Sequence, residues 1–212
     1  MIIKFIPNPM IYLICVIFSH SVFGEETAYK RLNLSHGISV EIPSHWEILS
    51  QDAKQNLAAA SESLIKNGFA VSDYGKKERL LAVSALPIPS GAKIRLSVIT
   101  PPDFTEDNLR VTSPSDLKQL HSNFYANLNS TMISSGLKLL EMKPPRIESF
   151  NNNLALVIEY SRTDAYGASP WHVIQYKIPT SNKFVEFTLS YRLSDGVVWK
   201  PILENVKRSV QL

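Results

Sequence analysis

Residues 154–160 constrain the fold more than any other part of the chain. Successive side chains of a strand point to opposite faces, and here both sets are largely apolar. The seven residues are Leu154, Ala155, Leu156, Val157, Ile158, Glu159 and Tyr160. A strand that is apolar on both faces needs cover on both sides. We therefore predict a central strand in a sheet with helical layers above and below it.

Three segments show the apolar spacing of an amphipathic helix, at residues 52–67, 113–136 and 197–210. The second begins with Ser113 as a cap, Pro114 at the first helical position and Asp116 in the first turn. Its predicted inward stripe is Leu117, Leu120, Phe124, Leu128 and Met132. The inward stripe of the last helix is predicted to be Val198, Ile202, Val206 and Val210.

The remaining patterns predict strands. Residues 31–34 and 38–42 alternate around Gly37 and indicate a hairpin. Pro144 and Pro145 interrupt an edge strand, since proline cannot donate a backbone hydrogen bond. The predicted strands are residues 31–34, 38–42, 80–86, 93–100, 137–141, 146–150, 154–160, 171–178 and 184–192. Two loops stand out between them, residues 101–112 and 163–171.

Residues 1–24 have the pattern of a secretory signal peptide. Lys4 is the only charged residue, and the apolar run of residues 10–18 is too short to span a bilayer core, which needs ~20 residues. An uncleaved anchor formed by residues 2–18 is the alternative. Residues 25–212 are then expected to form a single domain, exported to the periplasm or secreted, with no membrane insertion of the mature chain.

Composition excludes several kinds of site. Cys15 is the only cysteine and lies inside the apolar run, so the mature chain has no thiol for catalysis or metal binding. The formal net charge is +3, with both signs interspersed, which does not favour a nucleic-acid interface. No phosphate-binding loop, dinucleotide fingerprint or nucleophile elbow is present. We therefore predict no cofactor.

Residues 37–46 and the ending of the chain resemble the Mog/PsbP-like fold family and its bacterial exported members. The first segment has a glycine, a strand and then Pro43 and Trp46, and the second has an aromatic strand followed by a helix. The resemblance implies an α/β/α sandwich with a central, mainly antiparallel sheet flanked by three helices. Members include Ran-binding Mog proteins, the photosystem subunit PsbP and bacterial envelope proteins, so it also implies an accessory binding role rather than catalysis.

Aromatic residues in the two long loops are the candidate contacts for a protein partner. Rigid aromatic side chains often anchor interfaces, and acidic residues lie close to the aromatic residue of the first loop. The predicted partner-binding residues are Phe104, Glu106, Asp107, Tyr166 and Trp171. The alternative is that the aromatic rings cover a strand end and close the core. Trp46 and Trp199 are predicted to pack in the core.

The mature chain has four histidines, none with a second ligand at a metal-binding spacing. They are His36, His45, His121 and His172. We predict a non-enzymatic accessory domain that binds an unidentified envelope protein, without a metal. Two alternatives remain open: a metal site or enzyme assembled from dispersed histidines and carboxylates, and a carrier with an apolar cleft between a helix and the sheet.

Overall fold

The structure is a computed structural model that describes residues 27–49, 76–87, 90–165, 167 and 169–212. The predicted signal peptide, residues 1–24, lies outside the described residues. So do the predicted helix 52–67 and most of the polar loop that follows it.

A mostly antiparallel sheet dominates the described residues. It has eight strands: seven pair in the order β3-β4-β5-β10-β9-β8-β6, and the eighth, β7, pairs with β8. A separate hairpin is formed by β1 and β2. The strands are β1 (Tyr29–Asn33), β2 (Ser39–Pro43), β3 (Glu47–Ile48), β4 (Lys76–Ser84), β5 (Ala92–Thr100), β6 (Leu139–Met142), β7 (Arg146–Phe150), β8 (Asn153–Arg162), β9 (Trp171–Pro179) and β10 (Phe184–Arg192).

Three α-helices accompany this sheet: α1 (Glu106–Val111), α2 (Pro114–Ser134) and α3 (Gly196–Ser209). The mixed α/β architecture, with helices flanking a mainly antiparallel sheet, confirms the predicted fold class. Ser113 caps α2 and forms a reciprocal capping box with Asp116, as its sequence predicts. None of the helices within the described ranges combines the length and the apolar character needed to cross a bilayer.

The two faces of the sheet differ in chemistry. The face toward α3 carries the main core, closed by α3 and the β1–β2 hairpin; we call it the α3 face. Its buried residues include Val157, Tyr176, Phe187, Leu96 and Val206. The other face, the α1 face, holds Phe184, on which Phe104 stacks with ring centroids 5.7 Å apart. Polar and charged side chains occupy much of the rest of the α1 face.

Several details differ from the predictions. The strand containing residues 154–160 is buried on both faces, but it is one strand from the edge, where β6 and β7 pair with it, and not central. The expected loop 101–112 contains α1, because Thr105 and Asn108 form a capping box at its start. Val198 points outward, and Leu203 occupies the buried side of α3 instead.

A candidate binding cleft between α3 and the sheet

A cleft of about 630 Å³ opens between α3 and the α3 face of the sheet. Its apolar floor is formed by residues of β9, β10 and α3, and its rim is charged. The lining residues are Glu141, Lys143, Glu159, His172, Ile174, Tyr176, Leu189, Tyr191, Leu193, Lys200, Pro201, Leu203 and Glu204. The two antiparallel pairings β8–β9 and β9–β10 bring this lining together from distant parts of the chain.

Glu159 is the buried charge of the cleft. It lies on β8, and its carboxylate accepts hydrogen bonds from Lys143 and from Arg146, whose Nη1 is 2.8 Å away. Burial by itself raises the pKa of Glu159, but the hydrogen bonds from Lys143 and Arg146 outweigh burial and hold the pKa below its ordinary value. The carboxylate is therefore ionised near neutral pH and is compensated by two cations.

His172 lies beside this carboxylate on the neighbouring strand. Its Nε2 is 3.2 Å from Oε1 of Glu159, and its ring centroid is 5.0 Å from that of Tyr191. Burial lowers the pKa of His172, and the negative charge of Glu159 opposes this only in part. The imidazole is therefore neutral near pH 7. A neutral ring with one nitrogen directed at Glu159 makes His172 a polar but uncharged contact for a ligand in the cleft.

Apolar surface continues out of the cleft onto the start of α3. Leu193, which lines the cleft, is 44% exposed, and Val197 and Val198 are 91% and 55% exposed. Val197 precedes Lys200 and Pro201 by one helical turn, so it lies on the side of α3 that faces the cleft. Leu193, Val197 and Val198 are called the apolar rim below.

The predicted partner-binding residues of the first loop lie on the α1 face, away from this cleft. Phe104 is half-buried on Phe184, the packing alternative considered for it. Glu106 pairs with Arg110 one turn later in α1. Asp107 is exposed in the first turn of the same helix.

Trp171, predicted as a loop contact, begins β9 and is only 3% exposed. Its Nε1 donates a hydrogen bond of 3.1 Å to Oδ1 of Asp164. The indole is thus a packing residue that closes the end of the sheet, and it is not accessible as an interface anchor. Tyr166 lies outside the described residues.

The structure does not bring the two predicted loops together. Phe104 stacks on Phe184 at the start of β10, whereas Trp171 pairs in register with Arg192 at its end. Eight residues of strand separate Phe184 from Arg192, about 27 Å at ~3.4 Å per residue. A single small docking surface therefore cannot include both aromatic rings.

The four histidines within the described residues are dispersed. His36 pairs with Glu78 at 3.0 Å, and His121 Nε2 lies 3.4 Å from the carbonyl oxygen of Met142. His45 is exposed, and only His172 lines the cleft. Within the described residues, no group of three histidine, cysteine or acidic side chains is placed to hold a metal ion.

Sequence reasoning missed the pairing of Glu159 with His172, although the sequence contains a signal for it. Glu159 is the one charged residue in the apolar run of residues 154–160, and a buried carboxylate requires partners. Lys143 and Arg146 lie far enough before Glu159 in the sequence for their segment to pair with its strand in an antiparallel arrangement. The position of His172 beside Glu159 could be predicted only from the β8–β9 register. This register places His172 opposite Ser161 and diagonal to Glu159.

Comparison with known proteins gives similarity of fold alone. No family model matches the chain, and no curated protein matches it. The solution structure of cyanobacterial PsbP (CyanoP) from Synechocystis sp. PCC 6803 has a TM-score of 0.54 and 12% identity, covering 88% of this chain and 93% of that chain. LpqN of Mycobacterium tuberculosis, described as involved in cell envelope biogenesis, has a TM-score of 0.43 and 9% identity, with coverages of 86% and 90%. The chain thus has a fold similar to that of PsbP.

Proposed function

We propose that this protein is an exported, non-enzymatic accessory domain of the cell envelope and that it binds a segment of another protein in the cleft between α3 and the sheet. The observation that carries the proposal is the continuity between the apolar floor of the cleft and the apolar rim. Contiguous apolar surface of this kind is typical of interaction sites in soluble proteins.

The shape and chemistry of the cleft support a peptide segment as the occupant. An apolar side chain of the partner would contact Leu189, Tyr191 and Leu203 on the floor, all of them buried. The partner backbone would pass along the charged rim, where Glu141 and Lys200 remain accessible. A second apolar residue of the partner would cover Val197.

The ionic state of the cleft supports binding rather than catalysis. Glu159 is held by Lys143 and Arg146, and these contacts stabilise its ionised form. The charge of Glu159 is therefore compensated by structural ion pairs, and the neutral His172 beside it acts as a hydrogen-bonding contact. Export is supported by the composition of residues 1–24, and the similarity to CyanoP supports the fold on which the proposal stands.

The test is photo-crosslinking from position 197 in the intact envelope, followed by a binding measurement with the purified partner. We expect the crosslinked partner to bind the wild-type protein and to bind Val197→Glu at least about tenfold more weakly, because a charge would be buried against apolar surface. Ile133→Glu is the matched control, since Ile133 is an apolar residue on α2 that is 65% exposed. Equal binding by both variants would contradict the proposal.

A small-molecule carrier is the second candidate, favoured by the volume of the cleft. A volume of about 630 Å³ falls within the range of roughly 300–1,000 Å³ typical of ligand pockets. A ligand that binds only the folded state raises the melting temperature, so thermal unfolding with envelope lipids and metabolites tests this function. A ligand whose stabilising effect persists in Val197→Glu but disappears in Leu189→Trp, which fills the floor, would favour the carrier over the protein-binding domain.

A further inference from the structure

The α1 face of the sheet carries a group of cations on three strands. Lys93 and Arg95 lie on β5, Arg162 ends β8, and Arg192 ends β10. The strand register places them in three adjacent cross-strand rows of the α1 face. The rows are Arg192, Trp171 and Arg162; Lys93, Ser190, Val173 and Tyr160; and Arg95, Thr188 and Gln175. We call Lys93, Arg95, Arg162 and Arg192 the cation group.

Trp171 lies at the centre of three of these cations. Its ring centroid is 5.0 Å from Lys93 Nζ, 5.7 Å from Arg192 Cζ and 6.0 Å from Arg162 Cζ. Two acidic residues of the described chain act on this group: Asp164, with Oδ2 3.7 Å from Arg192 Nη2, and Glu186, whose charge acts on Arg95. The four cations therefore outnumber these two carboxylates, and Glu186 is also paired with Lys77 and Lys177, so the group retains a net positive charge.

Within the described residues, much of the hydrogen-bonding capacity of the cation group is unused. Among the described residues, the side chains of Lys93 and Arg95 donate no hydrogen bond and form no ion pair. Arg192 Nε is buried and has no hydrogen-bond partner among the described residues. By contrast, Glu186, further along the α1 face, is paired with Lys77 at 2.6 Å and Lys177 at 3.5 Å.

The cations also destabilise one another. Burial, together with the positive charges of Arg79 and Arg162, lowers the pKa of Arg95 to about 10, although Tyr160 and Glu186 oppose the shift. Burial likewise lowers the pKa of Lys93, and Arg95, Arg162 and Arg192 add to the effect while Asp164 opposes it. Arg95 still carries its charge at neutral pH, and the surroundings of both side chains disfavour the charged form. A bound anion would remove this repulsion and supply the missing acceptors.

We propose that the cation group binds the phosphate group of a ligand. A guanidinium fork and an ammonium group are the donors that recognise phosphate oxygens, and a doubly charged oxyanion matches the excess positive charge. Thr188 pairs in register with Arg95, and Ser190 pairs with Lys93, so their hydroxyl groups add neutral donors on the same face. The site is on the opposite face of the sheet from the cleft, so it is independent of the proposed protein-binding function.

The test is calorimetric titration of the full mature protein with inorganic phosphate and with pyrophosphate, at constant ionic strength. We expect binding by the wild-type protein and binding at least about tenfold weaker in Arg95→Gln, because charge-assisted hydrogen bonds are lost. Lys118→Gln is the charge-matched control, since it also removes one positive charge and Lys118 is exposed and lies outside the cation group. It should bind as the wild type does.

Two further measurements sharpen the test. In the absence of anions, Arg95→Gln should melt at the same temperature as the wild type or above it, because one of the mutually repelling charges is removed. A folding defect would instead lower the melting temperature. Vesicles containing phosphatidic acid, compared with phosphatidylcholine vesicles alone, distinguish a lipid headgroup from a soluble phosphate ligand.

Each outcome decides the proposal. Loss of phosphate or pyrophosphate binding in Arg95→Gln, with normal binding in the lysine control, supports a soluble phosphate ligand. Cosedimentation with phosphatidic acid vesicles that Arg95→Gln abolishes supports a lipid headgroup. No binding of phosphate, pyrophosphate or vesicles by the wild type, or equal weakening by the lysine control, overturns it.

Discussion

His172 Nε2 lies 3.2 Å from the carboxylate of Glu159, across the β8–β9 pair at the base of the cleft. The two residues are thirteen positions apart in sequence. Antiparallel pairing places them side by side, where Lys143 and Arg146 keep Glu159 charged and burial keeps His172 neutral. The pair therefore contributes to the stability of the domain and also forms part of the polar lining of its cleft.

The replacement Glu159→Gln should lower the free energy of unfolding by about 1–3 kcal/mol. The physical reason is that the buried side chain at position 159 loses its charge-assisted hydrogen bonds with Lys143 and Arg146. Urea denaturation at neutral pH measures the change. The control is Glu141→Gln, an exposed residue on the same cleft rim, for which a change within about 0.5 kcal/mol is expected. Equal destabilisation by the two variants would show that the ion pairs of Glu159 are unimportant.

His172 should make the stability of the protein depend on pH just below neutrality. Its pKa in the folded state is below its ordinary value of 6.5, mainly through burial, so the unfolded chain binds the proton at higher pH. The contribution of the neutral ring is therefore complete above pH 6.5 and is lost as the pH falls through that value toward the folded pKa. Urea unfolding between about pH 7 and pH 5 measures the slope.

His172→Gln should remove this part of the slope, whereas His45→Gln, at an exposed position, should leave it unchanged. If His172→Gln retains the full wild-type slope between these pH values, the buried imidazole is not its origin.

Glu186 should dominate the acid sensitivity of the α1 face. Burial raises its pKa, but Lys77 and Lys177 outweigh burial and lower the pKa from 4.5 to about 2. Its stabilising contribution is present above pH 4.5 and is lost as the pH falls toward the folded pKa. At neutral pH, Glu186→Gln should cost at most roughly 3 kcal/mol, since one pKa unit corresponds to about 1.4 kcal/mol.

Denaturation curves at neutral pH and near pH 2.5 test this prediction, with the wild type and Glu186→Gln converging at the lower value. Glu106→Gln is the control, because the Glu106–Arg110 pair is a surface pair on α1 and should contribute little. A stability difference that stays constant across the pH range would contradict the assignment.

Gly91 should not accept a side chain. A Cβ atom built on Gly91 would lie 2.6 Å from Nε1 and 2.9 Å from Cε2 of Trp199. Trp199 packs edge-to-face on Trp46 at 5.7 Å, so its indole is held by the core. Gly91→Ala should therefore destabilise the protein by about 1–3 kcal/mol through overpacking.

A double-mutant cycle with Trp199→Phe provides the control for Gly91→Ala. The smaller ring leaves room for the new methyl group, so the two changes together should cost less than the sum of their separate effects. Strictly additive effects in thermal or urea unfolding would rule out the steric contact as the cause.

Sequence patterns predicted local structure well where a single residue imposes it. Gly37 has a positive φ of 74° in the turn of the β1–β2 hairpin, and the segment around Pro144 and Pro145 divides two edge strands as expected. Trp46 is buried, and Trp199 packs against it. The short helix α1 was missed, because its capping box of Thr105 and Asn108 has only six helical residues behind it.

The candidate sites were less predictable, because they depend on strand order. The sequence indicated Phe104 and Trp171 as loop contacts, but both pack on the sheet, at opposite ends of β10. The cleft and the cation group each assemble residues from strands that are far apart in the chain. Periodicity shows which face of a strand a residue occupies and does not show which strand lies beside it.

The sequence by itself determined that the chain forms amphipathic helices and doubly buried strands, since side-chain alternation and capping act over a few residues. Only the tertiary structure decided that Glu159 meets His172, that Val197 continues the cleft onto the surface, and that Arg95 joins Lys93, Arg162 and Arg192 on one face. Those contacts arise from strand register and helix placement, which are fixed by the packing of the whole core.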